Sequence, residues 1–241
     1  MAYVNKIKSI KQVCSEYIKE IKYINSGFKD LDEITRGFKK GEITIIGGRP
    51  GTGKTTLGVS LCRNIIESHS FSVIYLSLEL SATKLLKRFL IQNENEEIDK
   101  IINSNIFICD PNFISVKYSS FEKSLRKHKE EKDLDLVIID YFQLFVNDIN
   151  EGNSILIKLK KLAKELNIAF VIFSQLNKDV DKRNNNFPLI EDLLQINGND
   201  ENIDNIFLIY RHKYHEINNL DLIIAKHMNA QGKTVTLKFK L

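Results

Sequence analysis

No apolar run in the chain approaches the roughly 18 to 20 residues that a membrane-spanning helix needs, and the first residues lack the apolar core of a secretory signal. A membrane or secreted protein is therefore not expected, and the reading is cytoplasmic. The three cysteines, Cys14, Cys62 and Cys109, are far apart, odd in number and without C-x-x-C or Cys/His spacing. That excludes a disulfide framework and a zinc centre, and leaves them as small core residues of a reducing compartment. His69, His128 and His227 stand apart, and the His212, His215 pair has no Cys or third His beside it to complete a metal site. A strong charge of one sign is missing too: 35 Lys and Arg against 31 Asp and Glu leave +4. So mild a balance is compatible with a nucleic-acid partner but does not argue for one. There is no internal repeat. What remains, 241 residues at 43% hydrophobic content, has room for one large α/β domain and a short extension.

The most informative stretch is Gly48-Arg49-Pro50-Gly51-Thr52-Gly53-Lys54-Thr55, followed by Thr56. It has the spacing G-x-x-x-x-G-K-[ST] of the phosphate-binding P-loop. Glu42 to Ile46 before it reads as a strand buried on both faces, and Thr56 to Ile66 after it as a helix. The glycines let the backbone turn its N–H groups inward as an anion nest at a helix N-terminus. Pro50 fixes one φ, Lys54 reaches the β- and γ-phosphates, and the Thr55 hydroxyl belongs on Mg²⁺. The expected ligands are ATP, or another nucleoside triphosphate, and Mg²⁺.

Around this motif the chain alternates strands and helices. Residues 3 to 21 have an amphipathic helical pattern with Ile7, Ile10, Cys14, Tyr17 and Ile21 on one stripe, suited to packing on its own domain or on a neighbour. Strands are expected at 71–78, 106–109, 136–139 and 169–173, with helices after Ser81, near 97–102, and over 121–132 and 155–166. This rhythm predicts a wound parallel sheet with its ligand at the carboxyl ends of the strands. Asn177 to Asn186 is polar, without apolar periodicity, and is expected as a long exposed, mobile loop. A short helix at 190–194 follows. Three closely spaced strands at 205–211, 220–225 and 235–240 should form an antiparallel addition at the sheet edge.

Carboxylates and an amide close several of these strands. Asp140, after the apolar run Leu136 to Ile139, stands where a Walker-B aspartate holds Mg²⁺ through water. Glu79 ends another strand and could orient or deprotonate an attacking water, or merely favour a helix dipole. Gln175 ends a third and could sense the γ-phosphate through its amide.

Together these pieces resemble the C-terminal, RecA-like motor domain of DnaB-type replicative helicases. The likeness rests on S-G-F-K-D-L-D at 26–32, G-G-R-P-G-T-G-K-T-T at 47–56, S-L-E at 77–79, D-Y-F-Q-L at 140–144, L-A-K-E-L-N at 162–167, S-Q-L-N at 174–177 and I-Y-R at 209–211, all in the family's order. The resemblance implies an N-terminal linker helix over residues 1–24 docking on a neighbour, and a motor domain over 25–241. It implies a homo-hexameric ring that binds ATP between subunits and moves along single-stranded DNA. By position Glu79 becomes the catalytic base, Asp140 the Walker-B residue, Gln175 the γ-phosphate sensor and Lys226 part of the finger offered to the neighbour's ATP. Lys178, Lys182 and Arg183 are the candidate DNA contacts.

The chain departs from the family pattern at three places. It has no counterpart of the N-terminal collar domain that binds primase, so a minimal form is expected. After Asp192-Leu193 it reads Leu194-Gln195-Ile196-Asn197 instead of Arg-Glu-Ser-Gly, losing a phosphate contact. The finger motif Lys-x-Arg reads Lys226-His227-Met228. These changes keep a second reading open, a diverged ATP-binding partner that co-assembles with a related helicase and has little motor activity. A small-molecule kinase would need an Arg-rich lid, which the sequence does not offer.

Overall fold

A computed structural model describes residues 9–11, 23–68, 71–90, 95–109, 117–146, 151–194, 201–211 and 219–239. The predicted N-terminal helix therefore lies almost wholly outside the described residues, as do Cys14, His69, His212, His215 and the sequence 195–197. Within it, residues 10 and 11 are helical, and Ile10 of the predicted apolar stripe is 79% exposed.

Two short strands, β1 (Tyr23–Ile24) and β2 (Phe38–Lys39), pair antiparallel around helix α1 (Lys29–Thr35). The S-G-F-K-D-L-D segment is organised by one carboxylate. Asp32 accepts the N–H groups of Ser26 at 2.8 Å and Gly27 at 3.0 Å, satisfying donors that precede the helix. Asn64 then donates to the Ser26 carbonyl at 2.9 Å and ties the turn to the helix after the P-loop.

The main sheet has β3 (Ile43–Gly48), β4 (Val73–Ser77), β5 (Ile106–Cys109), β6 (Leu136–Asp140), β7 (Ala169–Gln175), β8 (Asn205–Tyr210), β9 (Asn219–Lys226) and β10 (Thr234–Lys238). Their spatial order is β10-β9-β8-β3-β7-β6-β4-β5. The six strands from β8 to β5 run parallel, and β9 and β10 add antiparallel at one edge, as the short connections predicted. The chain leaves β3 toward β4 on one side and later crosses from β7 to β8 on the other. The P-loop therefore sits at a switch in strand order, where an open α/β sheet forms its crevice.

Helices cover both faces: α2 (Lys54–Ser68), α3 (Ala82–Leu90), α4 (Asn95–Ile102), α5 (Tyr118–Glu131), α6 (Phe142–Phe145) and α7 (Glu151–Leu166). Side-chain alternation divides the core accordingly. Ile43, Ile45, Val137, Ile139, Phe170 and Ile172 face the layer of α5 and α7. Ile46, Leu136, Ile138, Val171 and Phe173 face α2 and α3. Continuous apolar runs are what strands buried on both faces require. Helix α5, expected to be a charged surface helix, buries Phe121 and Leu125 on one side. Cys62 is fully buried, where burial pushes its thiol up, and Cys109 is half-buried.

The polar stretch after β7 is mostly exposed, as expected, but it is not without regular structure. It forms a 3₁₀ turn, Lys178–Lys182, with Val180 only 1% exposed, and a second 3₁₀ turn follows over Ile190–Asp192, within the predicted short helix. The Asn177 N–H bonds the Asp192 carbonyl at 2.7 Å, and Leu176 bridges to Leu193. Polar residues here satisfy one another in place of a hydrophobic pattern, so periodicity could not reveal the order.

Candidate active site

The P-loop turns from the end of β3 into α2. Gly51 and Gly53 have φ of +76° and +105°, backbone regions that side chains with a Cβ rarely adopt. The Thr52 hydroxyl donates to the Arg49 carbonyl at 2.7 Å, closing the loop on itself. Lys54 is 9% exposed, and its ammonium donates to the carbonyls of Gly48 at 2.9 Å and Arg49 at 3.1 Å. Burial lowers its pKa, while the carboxylates of Asp140 and Glu79 act against that loss and Arg49 adds to it. An ammonium held inside a ring of inward backbone groups is suited to anionic phosphate oxygens.

Asp140 at the end of β6 faces this loop and is 1% exposed. Tyr75 of β4, itself fully buried, donates its hydroxyl to Asp140 Oδ2 at 2.8 Å. The other oxygen, Oδ1, is buried with no hydrogen-bond partner of ordinary geometry. Burial pushes the Asp140 carboxyl up; the neighbouring hydroxyls of Thr55 and Tyr75 and the Lys54 charge pull it back, and Glu79 adds to the rise. A buried carboxylate oxygen left open beside a threonine hydroxyl is the donor set a hydrated divalent cation takes. Thr55 and Asp140 thus have the chemistry to hold Mg²⁺.

Glu79 is exposed on the loop after β4, close enough for its charge to be felt at Lys54, Asp140 and Tyr141. Gln175 ends β7 beside Gly48 in the parallel register. Its backbone N–H is fixed at 3.0 Å by the side-chain oxygen of Gln143, whose amide also donates to Ser174 Oγ at 2.9 Å. The P-loop, Asp140, Glu79 and Gln175 are thus gathered at the carboxyl ends of adjacent parallel strands.

Lys226 is not gathered there. It ends β9, which runs antiparallel, and pairs with Ile206 near the start of β8, level with Ile45. That places it toward the opposite, amino end of the parallel strands, with Met228 in the following turn 85% exposed.

The basic residues after β7 have internal partners. Arg183 forms a forked pair with Asp192, at 2.6 and 2.8 Å, and Lys182 pairs with Asp179. Lys178 is exposed beside them, and Leu194 donates its N–H to the Gln175 carbonyl at 3.4 Å. Arg49, within the P-loop, reaches across to this segment. It bonds Asp181 from Nε at 3.0 Å and the Leu176 carbonyl from Nη1 at 2.9 Å.

Two residues near the site were not assigned a role from the sequence. Tyr75 sits in an otherwise apolar strand, and a buried tyrosine hydroxyl needs a polar partner, which was the available signal. Gln143 lies within the D-Y-F-Q-L motif, but nothing in its spacing shows that it reaches β7. Among the described residues no cluster of His, Cys, Asp and Glu could hold a metal by itself, and no helix is long and apolar enough to cross a membrane.

The family described as DnaB-like helicase C-terminal domain matches residues 23–105 and 91–241. A probable replicative DNA helicase of Trieres chinensis is 30% identical over 93% of this chain and 59% of its own length. Replicative DNA helicase DnaB of Geobacillus stearothermophilus is 29% identical over 91% of this chain and 55% of its own. The chain thus spans little more than half the length of these curated relatives. Among solved structures an ATPase domain superposes with a TM-score of 0.83 at 27% identity, covering 97% of this chain and 96% of that one. A DnaB-like replicative helicase, solved in a study of its interactions with primase, gives 0.78 at 28% identity, over 97% and 65%. The KaiC-like protein PH0186 of Pyrococcus horikoshii, at 16% identity and a TM-score of 0.68 over 91% and 95% of the two chains, shares the fold alone.

Proposed function

Because the chain belongs to the family of DnaB-like helicase C-terminal domains, we propose that it is an ATP-hydrolysing motor that assembles as a ring and moves along single-stranded DNA. The observation that carries this reading is the division of these residues between the two ends of the sheet's strands. The P-loop, Asp140, Glu79 and Gln175 meet at the carboxyl ends of the parallel strands, and Lys226 lies toward their amino ends. A chain arranged so cannot complete its own site with Lys226, but it can complete a neighbour's. The reading of the chain as a regulatory partner without motor activity is not favoured by relatives that are replicative helicases.

In this mechanism the nest of Gly48 to Thr55 and the Lys54 ammonium bind the phosphates of ATP. Thr55 and Asp140 hold Mg²⁺, which when bound neutralises charge on the β- and γ-phosphate oxygens. Glu79 orients the attacking water and accepts its proton. Gln175, fixed through Gln143, stands where its amide can report whether the γ-phosphate is present. A cation from the adjacent subunit stabilises charge developing on the phosphoryl group. Lys226 supplies it here, since Met228 carries no charge. The segment 177–194, bonded to the P-loop through Arg49, presents Lys178 and Lys182 toward the nucleic acid, and Arg183 gives the segment its shape. Residues 1–24 act as the linker to the next subunit, which the exposed Ile10 suits, and 25–241 as the motor domain.

The test is ATP hydrolysis by the purified chain with and without single-stranded DNA, with Lys54→Ala as the blank. Turnover that rises with DNA and disappears in the blank supports the proposal. Nucleotide binding with no DNA-stimulated turnover overturns it.

A further inference from the structure

Beside the Walker-B position the structure holds a second buried group with no role in the mechanism above. Tyr75 and Asp140 stand on neighbouring strands, β4 and β6, and both are almost completely enclosed, at 0% and 1% exposure. The tyrosine O–H donates to Oδ2 at 2.8 Å and leaves Oδ1 as the carboxylate oxygen without a partner of ordinary geometry. A carboxylate that can turn about χ2 presents either oxygen to a ligand. One that is bonded on a single side presents only the other.

Room for this hydroxyl is made by helix α2. A Cβ built at Gly58 would stand 2.7 Å from Tyr75 Oη, 3.0 Å from Phe173 Cε2 and 3.1 Å from Tyr75 Cε2. Any larger residue at 58 would press the ring away from Asp140, because backbone of α2 and core of β7 confine it on two sides. Glycine in a helix interior is a weaker helix former than alanine. Its presence four residues after Lys54 is explained by the phenol it accommodates.

Resting on the assignment of Asp140 to Mg²⁺, we infer that Tyr75 is a positioning residue that locks the Asp140 carboxylate with Oδ1 toward Thr55, and that Gly58 is the space that seats it. Tyr75 touches neither phosphate nor metal. It acts through Asp140, as an outer partner that orients a ligand and excludes its unproductive rotamer.

The experiment uses the 241-residue chain and a fluorescent ADP analogue, whose affinity is measured in EDTA and across a Mg²⁺ titration. In Tyr75→Phe the Mg²⁺ midpoint rises about tenfold, the scale of losing an outer-sphere partner, while affinity in EDTA stays within about twofold. Gly58→Ala, which keeps the hydroxyl but displaces it, shifts the midpoint in the same direction, and it carries the test should Tyr75→Phe fail to fold. Asp140→Asn is the reference: it loses the Mg²⁺ dependence, and adding Tyr75→Phe to it changes nothing further. A lowered melting temperature with the parental Mg²⁺ midpoint in both Tyr75→Phe and Gly58→Ala would mean that the pair only packs, and overturns the inference. Retention of Mg²⁺ dependence by Asp140→Asn would instead overturn the assignment of Asp140 on which it rests.

Discussion

Lys226 and Lys54 stand at opposite ends of the strands of one sheet. Lys226 is level with Ile45, and three residues of extended strand, roughly 10 Å, separate Ile45 from Gly48 where the P-loop begins. If the active form is a ring, each site takes its Lys54 from one chain and its Lys226 from the next. Lys226→Ala and Lys54→Ala should each lower DNA-stimulated ATP turnover at least tenfold, given that cations supplied in trans are worth about 10³ or more where they are arginines. Mixing the two variants restores activity, because some interfaces then pair an intact Lys54 with an intact Lys226. Turnover of the mixture that equals the average of the separate variants would show that the two lysines do not share a site.

The P-loop and the segment after β7 are joined by Arg49, whose guanidinium bonds both Asp181 and the Leu176 carbonyl. The Asp181 carboxyl is held below its ordinary value by the Arg49 hydrogen bond, against a small opposing effect of burial. Asp181 is half-exposed and meets the P-loop only through the outward side chain of Arg49, so its loss should largely spare basal hydrolysis. Asp181→Asn is expected to leave DNA-free turnover within about twofold and to reduce stimulation by single-stranded DNA about fivefold. Steady-state rates across a DNA titration check it; equal loss of basal and stimulated rates would place Asp181 in the nucleotide site itself.

Gly27 is a position of a different kind. It has φ of +76°, and a Cβ there would stand 2.3 Å from Asn64 Cβ, inside the contact that fastens the segment 26–32 to α2. Gly232 has a similar φ of +83° but open space around it. Gly27→Ala should therefore cost about 2–4 kcal/mol, combining backbone strain with overpacking, and Gly232→Ala about 1 kcal/mol from strain alone. Urea unfolding of both variants tests the difference, which vanishes if the Asn64 contact yields.

The parts of this architecture that could be read from the sequence are those written in short range. The eight-residue P-loop carries its own chemistry, and Asp140 announces itself because an apolar strand ends there. The antiparallel edge was visible in three close apolar runs. The order of the parallel strands was not, since the choice of neighbours for β3 depends on packing over more than a hundred residues. The Arg49–Asp181 and Lys160–Asp204 pairs join residues 132 and 44 apart, with no periodicity to mark them. Tyr75 was hidden for the opposite reason: in an apolar run it looks like core, and only the position of its hydroxyl shows otherwise. Lys226 was legible as a residue type, but its distance from Lys54 follows only from the strand register.

Two half-buried histidines give the chain a directional dependence on pH. His128 packs edge-on against Phe107 at 4.5 Å, and its Nε2 is buried without a hydrogen-bond partner. Burial and then the Lys132 charge lower its pKa from 6.5, and Glu131 only partly opposes them. His227 is lowered by burial too, against the Glu42 charge and a backbone contact at Thr35. Both are therefore neutral in the folded chain at pH values where the unfolded chain has begun to take up protons. The unfolded state binds more protons below about pH 6.5, so stability rises with pH through that window. It is complete above the unfolded pKa and declines as pH falls from 6.5 toward the lower folded values. Asp140, whose pKa is raised, contributes with the opposite sign, so it does not produce this slope. The melting temperature should be level between about pH 7 and 8 and fall between about pH 6.5 and 5.5. Replacing both rings, as His128→Leu with His227→Gln, should flatten that fall whatever it does to the melting temperature at about pH 8. An unchanged slope in the double variant would assign the acid sensitivity to other groups.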